Sequence, residues 1–125
     1  MIELTDKPID PKVVFEHLSR YGAGSMVVHV GVVKPKVDGK KTGGIKFEKA
    51  GELEAELERV EKELRKKWGV TDAIIIKRIG NLKVGDAIMA AGFVAETRDP
   101  AFGACRDSVE MLKKLKNVKK TELFE

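Results

Sequence analysis

With one cysteine and two histidines in 125 residues, the chain is short of the usual reactive and metal-binding side chains. A lone Cys105 excludes an intrachain disulfide, a CxxC redox pair and a multi-cysteine zinc site. His17 and His29 cannot build a three-histidine metal centre without carboxylate help. No GxGxxG, Walker A or GxSxG sequence occurs, so the familiar phosphate cradles and the nucleophile elbow are missing. No carboxylate pair stands at a recognisable spacing. No apolar run approaches the ~20 residues of a membrane helix. The opening Met1-Ile-Glu-Leu-Thr-Asp has neither the basic segment nor the apolar stretch of a secretory leader. These shortages predict a cytoplasmic domain that is cofactor-free or only loosely liganded.

The composition that remains suits a folded protein: 35% charged and 42% apolar residues. The length is that of one ordinary domain, so residues 1–125 are expected to share a single core. Lys plus Arg is 24 and Asp plus Glu 20, for a net charge of +4, which is mildly basic.

Asp10-Pro11 reads as a helix cap followed by proline at the first helical position, with Val13, Val14, Phe15 and Leu18 as a short apolar face. Ser25 to Val33 is β-branched and apolar enough for a buried strand. Lys34 to Gly44 is expected to be a polar, flexible loop, and Ile45 to Glu48 a strand. From Glu52 to Trp68, Leu53, Leu57, Val60, Leu64 and Trp68 lie on one helical stripe, and Gly69 is a plausible stop. Ala73 to Ile79 reads as an inner strand, and Gly80 to Asp86 as a short excursion rich in turn residues. Ala87 to Thr97 is also expected to be a strand, closely approached by another backbone at Gly92. Asp99-Pro100 repeats the cap-plus-proline signature before a helix running to about Lys116, with Phe102, Cys105, Val109 and Leu112 on its buried side. Val118 to Phe124 can form a last strand. The predicted order is α-β-β-α-β-β-α-β, an α+β sandwich of helices against a mostly antiparallel sheet.

Three basic features could carry chemistry. Lys113-Lys114-Leu115-Lys116-Asn117-Val118-Lys119-Lys120 places five lysines in eight residues at a helix-to-strand junction. Mutual repulsion combined with desolvation would lower their proton affinity and make a base or nucleophile available near neutral pH. The alternative is a solvated helix end whose cations suit the helix dipole. Arg98 directly precedes a helix N-terminus, where it could hold a phosphate or carboxylate, or pair structurally with Asp99 or Glu96. Lys34, Lys36, Lys40 and Lys41 lie in a glycine-flanked loop that could close over an anion. His29, between valines, reads as a core or pocket-wall histidine, His17 as lying on an exposed helix face, and Cys105 as a buried inert thiol. No aromatic residue interleaves with the lysine cluster as a stacking platform for single-stranded nucleic acid would require, which argues against that partner.

The stretch Lys77-Arg78-Ile79-Gly80-Asn81-Leu82-Lys83-Val84-Gly85-Asp86 resembles the RIG-x-L-x-x-GD hairpin of the large, catalytic subunit of molybdopterin synthase. Further similarities follow in register. Gly31-Val32-Val33-Lys34 resembles the strand end before that family's flexible loop, and Ile45 to Glu48 its L-x-x-E strand. Thr97-Arg98-Asp99-Pro100-Ala101-Phe102 resembles its HR-x-x-AF helix start, and Lys113 with Lys120 seven residues later matches the spacing of its two lysines. The likeness spans roughly Gly24 to Glu122.

The resemblance implies an α/β-hammerhead-like fold and a homodimer within a heterotetramer. Each copy would receive a small ubiquitin-like sulfur-carrier subunit whose C-terminal Gly-Gly thiocarboxylate threads into the pocket. The implied substrate is cyclic pyranopterin monophosphate, converted to the dithiolene of molybdopterin. Lys113 would be the central catalytic lysine and Lys120 its partner, while Arg98, Lys34 and Thr97 would bind substrate. Thr97 stands where the family usually has histidine, Lys34 where arginine is usual, and Asn117-Val118-Lys119-Lys120 where a Pro-aromatic-Trp-Lys run is usual. A relative that holds the carrier or the pterin without converting it is the alternative.

Overall fold

In the computed structural model, which describes residues 1–124, the chain begins with β1 (Ile2–Thr5), α1 (Pro11–Ser19) and β2 (Ser25–Val32). It continues through β3 (Lys36–Val37), β4 (Lys40–Lys49), α2 (Leu53–Trp68), β5 (Asp72–Arg78) and β6 (Gly80–Leu82). It closes with β7 (Ala87–Ala95), α3 (Arg98–Lys113) and β8 (Val118–Phe124). The α+β class and the mostly antiparallel pairing are as the sequence predicts. One sheet has the order β1-β5-β7-β2, in which only β1 runs parallel to its neighbour. The second places β4 between β6 and β8, with β3 folded back on the start of β4.

Side-chain parity in the inner strands of the first sheet divides the core. Ala73 and Ile75 of β5, with Met89, Ala91 and Phe93 of β7, face α2 and α3. Ile74, Ile76, Ala90 and Val94 face the opposite way, onto Val14 and Leu18 of α1. Two glycines permit this packing. A Cβ on Gly92 would lie 2.7 Å from both Leu18 Cδ1 and Val14 Cγ1, so the close approach is made by α1 side chains and not by another backbone. A Cβ on Gly103 would lie 2.4 Å from the Trp68 ring, which rests directly on the backbone of α3.

Asp10 caps α1 as expected, its carboxylate accepting from the Lys12 N–H at 3.0 Å. Only Val14 and Leu18 of α1 are buried; Val13 and Phe15 are exposed. In α2, Leu53, Leu57, Val60 and Leu64 are buried, and the helix ends at Gly69 with φ +63°, its N–H bonded to the Arg65 carbonyl.

Several expectations are corrected. Residues 2–5, to which the sequence assigns no element, form β1 and supply the only parallel pairing among the described residues, with Ile2 and Leu4 against the core. β2 is an edge strand, not a buried one, with Val28 and Val32 exposed. The supposedly flexible loop is largely the β3–β4 hairpin, turned by Asp38 and Gly39 at φ +52° and +78°. The cap of α3 is Thr97, without a side-chain cap bond, and Asp99 lies inside the first turn. Phe102 is exposed; Ala101, Ala104, Cys105 and Ser108 form the buried side. His17 is not on a free face: its Nε2 lies 3.0 Å from Asp72 Oδ2, tying α1 to β5.

Candidate active site

Beside the C-terminal end of α3, between the first sheet and the second, lies a cavity of about 610 Å³. Four lysines line it, each delivered by a different segment. Lys34 follows the end of β2, Lys113 is the last residue of α3, Lys120 belongs to β8 and Lys77 to β5. The walls between them are apolar, from Ile88, Met89, Val109, Leu112 and Val118. Among the described lining residues there is no carboxylate, so the space combines several cationic side chains with apolar surface. Such a site suits an anionic ligand with a planar body.

The register of the second sheet sets two of these positions. Lys120 pairs with Phe47 across the β4–β8 ladder, and alternation sends Lys119 away from the cavity while Val118 and Lys120 line it. Lys120 Nζ also lies 3.5 Å from Glu122 Oε1. The link from α3 to β8 is pinned by Glu56 of α2, which accepts from the Lys116 N–H at 2.8 Å and from the Asn117 N–H and Nδ2 at 3.0 Å each. Burial pushes the Glu56 carboxyl up, but these three bonds outweigh it and hold its pKa below the ordinary value. These bonds hold the turn that lies between Lys113 and Lys120.

Lys77 was missed in the sequence as a site residue. It continues the inward row Ala73, Ile75 of β5 and is only 4% exposed. Its Nζ lies 3.4 Å from the centre of the Phe47 ring and donates to the Arg78 carbonyl at 2.9 Å. Burial first, and the charge of Lys120 second, lower its pKa to about 8. The expectation that crowding and desolvation would act on the 113–120 cluster is therefore met elsewhere: Lys113 and Lys120 are exposed, and the desolvated lysine is Lys77. The available signal was parity, a lysine on the inward side of an isoleucine strand.

Three of the five predicted site residues, Lys34, Lys113 and Lys120, thus meet in one cavity. Arg98 and Thr97 do not. They sit at the other end of α3, and 15 residues of helical rise place Arg98 about 22 Å from Lys113. His29 forms part of the cavity wall, as expected, and its buried Nδ1 has no hydrogen-bond partner. Cys105 is 5% exposed and burial raises its thiol pKa, which makes it unreactive. Among the described residues, no group of three or more His, Cys, Asp or Glu side chains could hold a metal ion, and no helix is long and apolar enough to cross a membrane.

The sequence profile of the family described as MoaE protein matches residues 4–115. The chain belongs to this family. A molybdopterin synthase catalytic subunit from Pyrococcus abyssi is 30% identical over 125 residues, covering 98% of this chain and 84% of that protein. The crystal structure of molybdopterin synthase from Staphylococcus aureus is similar with a TM-score of 0.90 at 27% identity, over 98% of this chain and 90% of that one. A protein–protein complex of subunits 1 and 2 of molybdopterin-converting factor from Helicobacter pylori shares the fold at 20% identity and a TM-score of 0.80, over 99% and 85% of the two chains. Membership in the molybdopterin synthase catalytic subunit family places the chain in molybdenum cofactor biosynthesis. Within this MoaE chain, the Arg78-to-Asp86 motif is the β5–β6 turn and its return, closed by Arg78 Nη1 at 3.4 Å from Asp86 Oδ2.

Proposed function

We propose that this chain transfers sulfur from the thiocarboxylated C-terminus of a small ubiquitin-like carrier subunit to cyclic pyranopterin monophosphate, forming the dithiolene of molybdopterin. The observation that carries this reading is the convergence of Lys34, Lys113 and Lys120 on one apolar-walled cavity without a lining carboxylate. Both reactants are anions, a thiocarboxylate and a phosphate ester, and the pterin ring is planar. The cations hold the anionic groups while the apolar wall accepts the ring. The carrier sulfur forms a C–S bond to the pterin side chain as a C–O bond of that side chain breaks, its oxygen leaving as water or staying on the phosphate, and an acyl thioester to the carrier remains. Water then cleaves the acyl C–S bond, the carrier departs as carboxylate and the sulfur stays on the pterin. A second carrier supplies the second sulfur. Lys113, at the cavity wall, stabilises the oxyanion of the acyl step, and Lys120 supports the negative charge opposite it.

A small partner subunit is supported by the Helicobacter pylori relative, whose structure is a complex of two subunits. A homodimer is supported by the distance along α3. Arg98 and Thr97 can bind substrate in such a cavity only when supplied by a second copy, and Phe102, exposed one turn after Arg98, offers an apolar contact at that end. The setting we assign is the cytoplasm, where a single free thiol stays reduced.

A single-turnover assay tests the proposal: the chain, thiocarboxylated carrier and pterin substrate are mixed, then oxidised and scored for the fluorescent molybdopterin derivative. Product formation supports the synthase reading. Absence of product with the carrier still bound would replace it with a non-catalytic binding protein.

A further inference from the structure

Lys77 is costly to the fold. A lysine that is 4% exposed gives up nearly all its hydration, and no carboxylate pairs with it among the described residues. What remains to its ammonium form is one carbonyl, that of Arg78, and the face of Phe47. Methionine or leucine would fill the same inward position of β5 and continue the row Ala73, Ile75 without a desolvation penalty. Packing alone therefore gives no reason for an amine at this point, whereas the cavity does, because Lys77 is part of its lining.

The charged side chains that line the cavity with it are all lysines. Lys120 faces it from β8, Lys113 from α3, and Lys34 and His29 from β2 and the segment after it. The β1 and β7 neighbours in register are the apolar Leu4 and Met89. On β8, the carboxylate of Glu122 is paired with Lys120. Burial and the charge of Lys120 favour the neutral amine, the form that carries a lone pair. The exposed lysines of the cavity keep their water and serve as cations.

We infer that Lys77 is the proton acceptor of this cavity, the general base that activates the water which releases the carrier after sulfur transfer. The inference rests on the sulfur-transfer reading above. In this step the water oxygen bonds to the thioester carbonyl carbon and Lys77 Nζ takes one water proton. The acyl C–S bond breaks with its electron pair going to sulfur, which remains on the pterin as thiolate. The carrier leaves as a carboxylic acid that ionises to solvent. The Arg78 carbonyl and the Phe47 face then hold the ammonium until the proton is passed on. Burial gives Lys77 a pKa of about 8, which leaves a useful neutral fraction near physiological pH while retaining basicity.

The test is the single-turnover rate of carrier release from about pH 6 to about pH 10, the range a base of this kind would span. It is measured for the unaltered chain, Lys77→Met and Lys77→Arg, with folding checked by circular dichroism. The inference expects the unaltered rate to rise with one inflection near pH 8 and then level off. It expects both variants to lose about 100-fold or more and to lose the inflection, while still binding the carrier. Arginine keeps the charge but cannot give up its proton, so full activity in Lys77→Arg would make Lys77 an electrostatic anchor and overturn the inference. An unaltered rate that does not vary with pH would overturn it even if neither variant folds. If the unaltered chain gives no product at all, the sulfur-transfer reading fails and the inference falls with it. Product formation together with an active Lys77→Met defeats the inference alone.

Discussion

Lys77 and Phe47 meet face-on, with the ammonium nitrogen 3.4 Å from the ring centre, although they belong to different sheets. The contact closes the floor of the cavity and joins β5 to β4, which share no ladder. Chemically it opposes the desolvation of Lys77, since the negative face of an aromatic ring stabilises a cation by about 0.5–2 kcal/mol.

Phe47→Leu should therefore move the ionisation of Lys77 to still lower pH, because the neutral amine needs no ring. The rate at which Lys77 is acylated by an excess of anhydride, followed by peptide mass spectrometry across pH, reports this directly. A midpoint that moves upward would mean that the ring contributes only packing.

Glu56 acts on the site from a distance, through the backbone between Lys113 and Lys120. Glu56→Ala should reduce stability by about 1–2 kcal/mol, the worth of the lost bonds at a partly exposed position. It should lower turnover by about 10-fold or more, because misplacement of charged groups weighs heavily on rate. Glu56→Gln, which keeps an acceptor oxygen, should recover most of both. Equal losses of stability in the two variants with unchanged turnover would show that the junction does not set the geometry of the lysines.

Asp72 gives the fold an acid limit. Burial pushes its carboxyl up, but bonds from the Tyr21 hydroxyl, the Ala73 N–H and His17 outweigh this and hold its pKa below the ordinary 3.8. Arg65 Nη1 pairs with its other oxygen at 3.0 Å. A carboxyl with a depressed folded pKa contributes stability that is present above its unfolded pKa and is lost as pH falls through the folded value. Urea midpoints should thus fall below about pH 4, and Asp72→Asn should flatten that decline. An equally steep decline in the variant would assign the acid limit to other carboxylates.

Gly103→Ala puts a methyl group where the Trp68 ring lies. Overpacking of this kind costs about 1–3 kcal/mol, and it should also disturb the 2.8 Å bond from Trp68 Nε1 to Asp107. Trp68 is the only tryptophan, so its emission reads both the native environment and the denaturant transition. An unchanged transition would mean that α2 and α3 can separate freely at this point.

What could be read in the sequence followed the strength of local signals. The stripe of α2, the Asp10 cap and the inner strand β5 were legible because periodicity or capping chemistry declares them within a few residues. β1 was not, since a four-residue strand takes its stability from β5, far along the chain. The β3–β4 hairpin was missed although Asp38-Gly39 is a strong turn signal, because the surrounding lysines and glycines read as loop. At the site, the spacing of Lys113 and Lys120 carried across a helix-to-strand turn, and the resemblance located Lys34. Arg98 stands out in the sequence as a candidate for holding an anion or for a structural ion pair, but the length of α3 that separates it from the cavity emerges only in three dimensions. Lys77 is a single charged residue beside an apolar run. Its burial depends on which face of β5 meets the helices, and no local pattern states that outright.

The central claim is that the lysine-lined cavity performs sulfur transfer, and replacement of Lys113 by alanine tests it most directly. Carrier binding and single-turnover product are measured side by side in the unaltered chain and in Lys113→Ala. Lys113 is exposed at the end of α3, so the variant should fold and hold the carrier with nearly unchanged affinity. The account predicts that product forms with the unaltered chain and falls by about 100-fold or more in the variant. Equal product from both would contradict the account and place the chemistry outside this cavity.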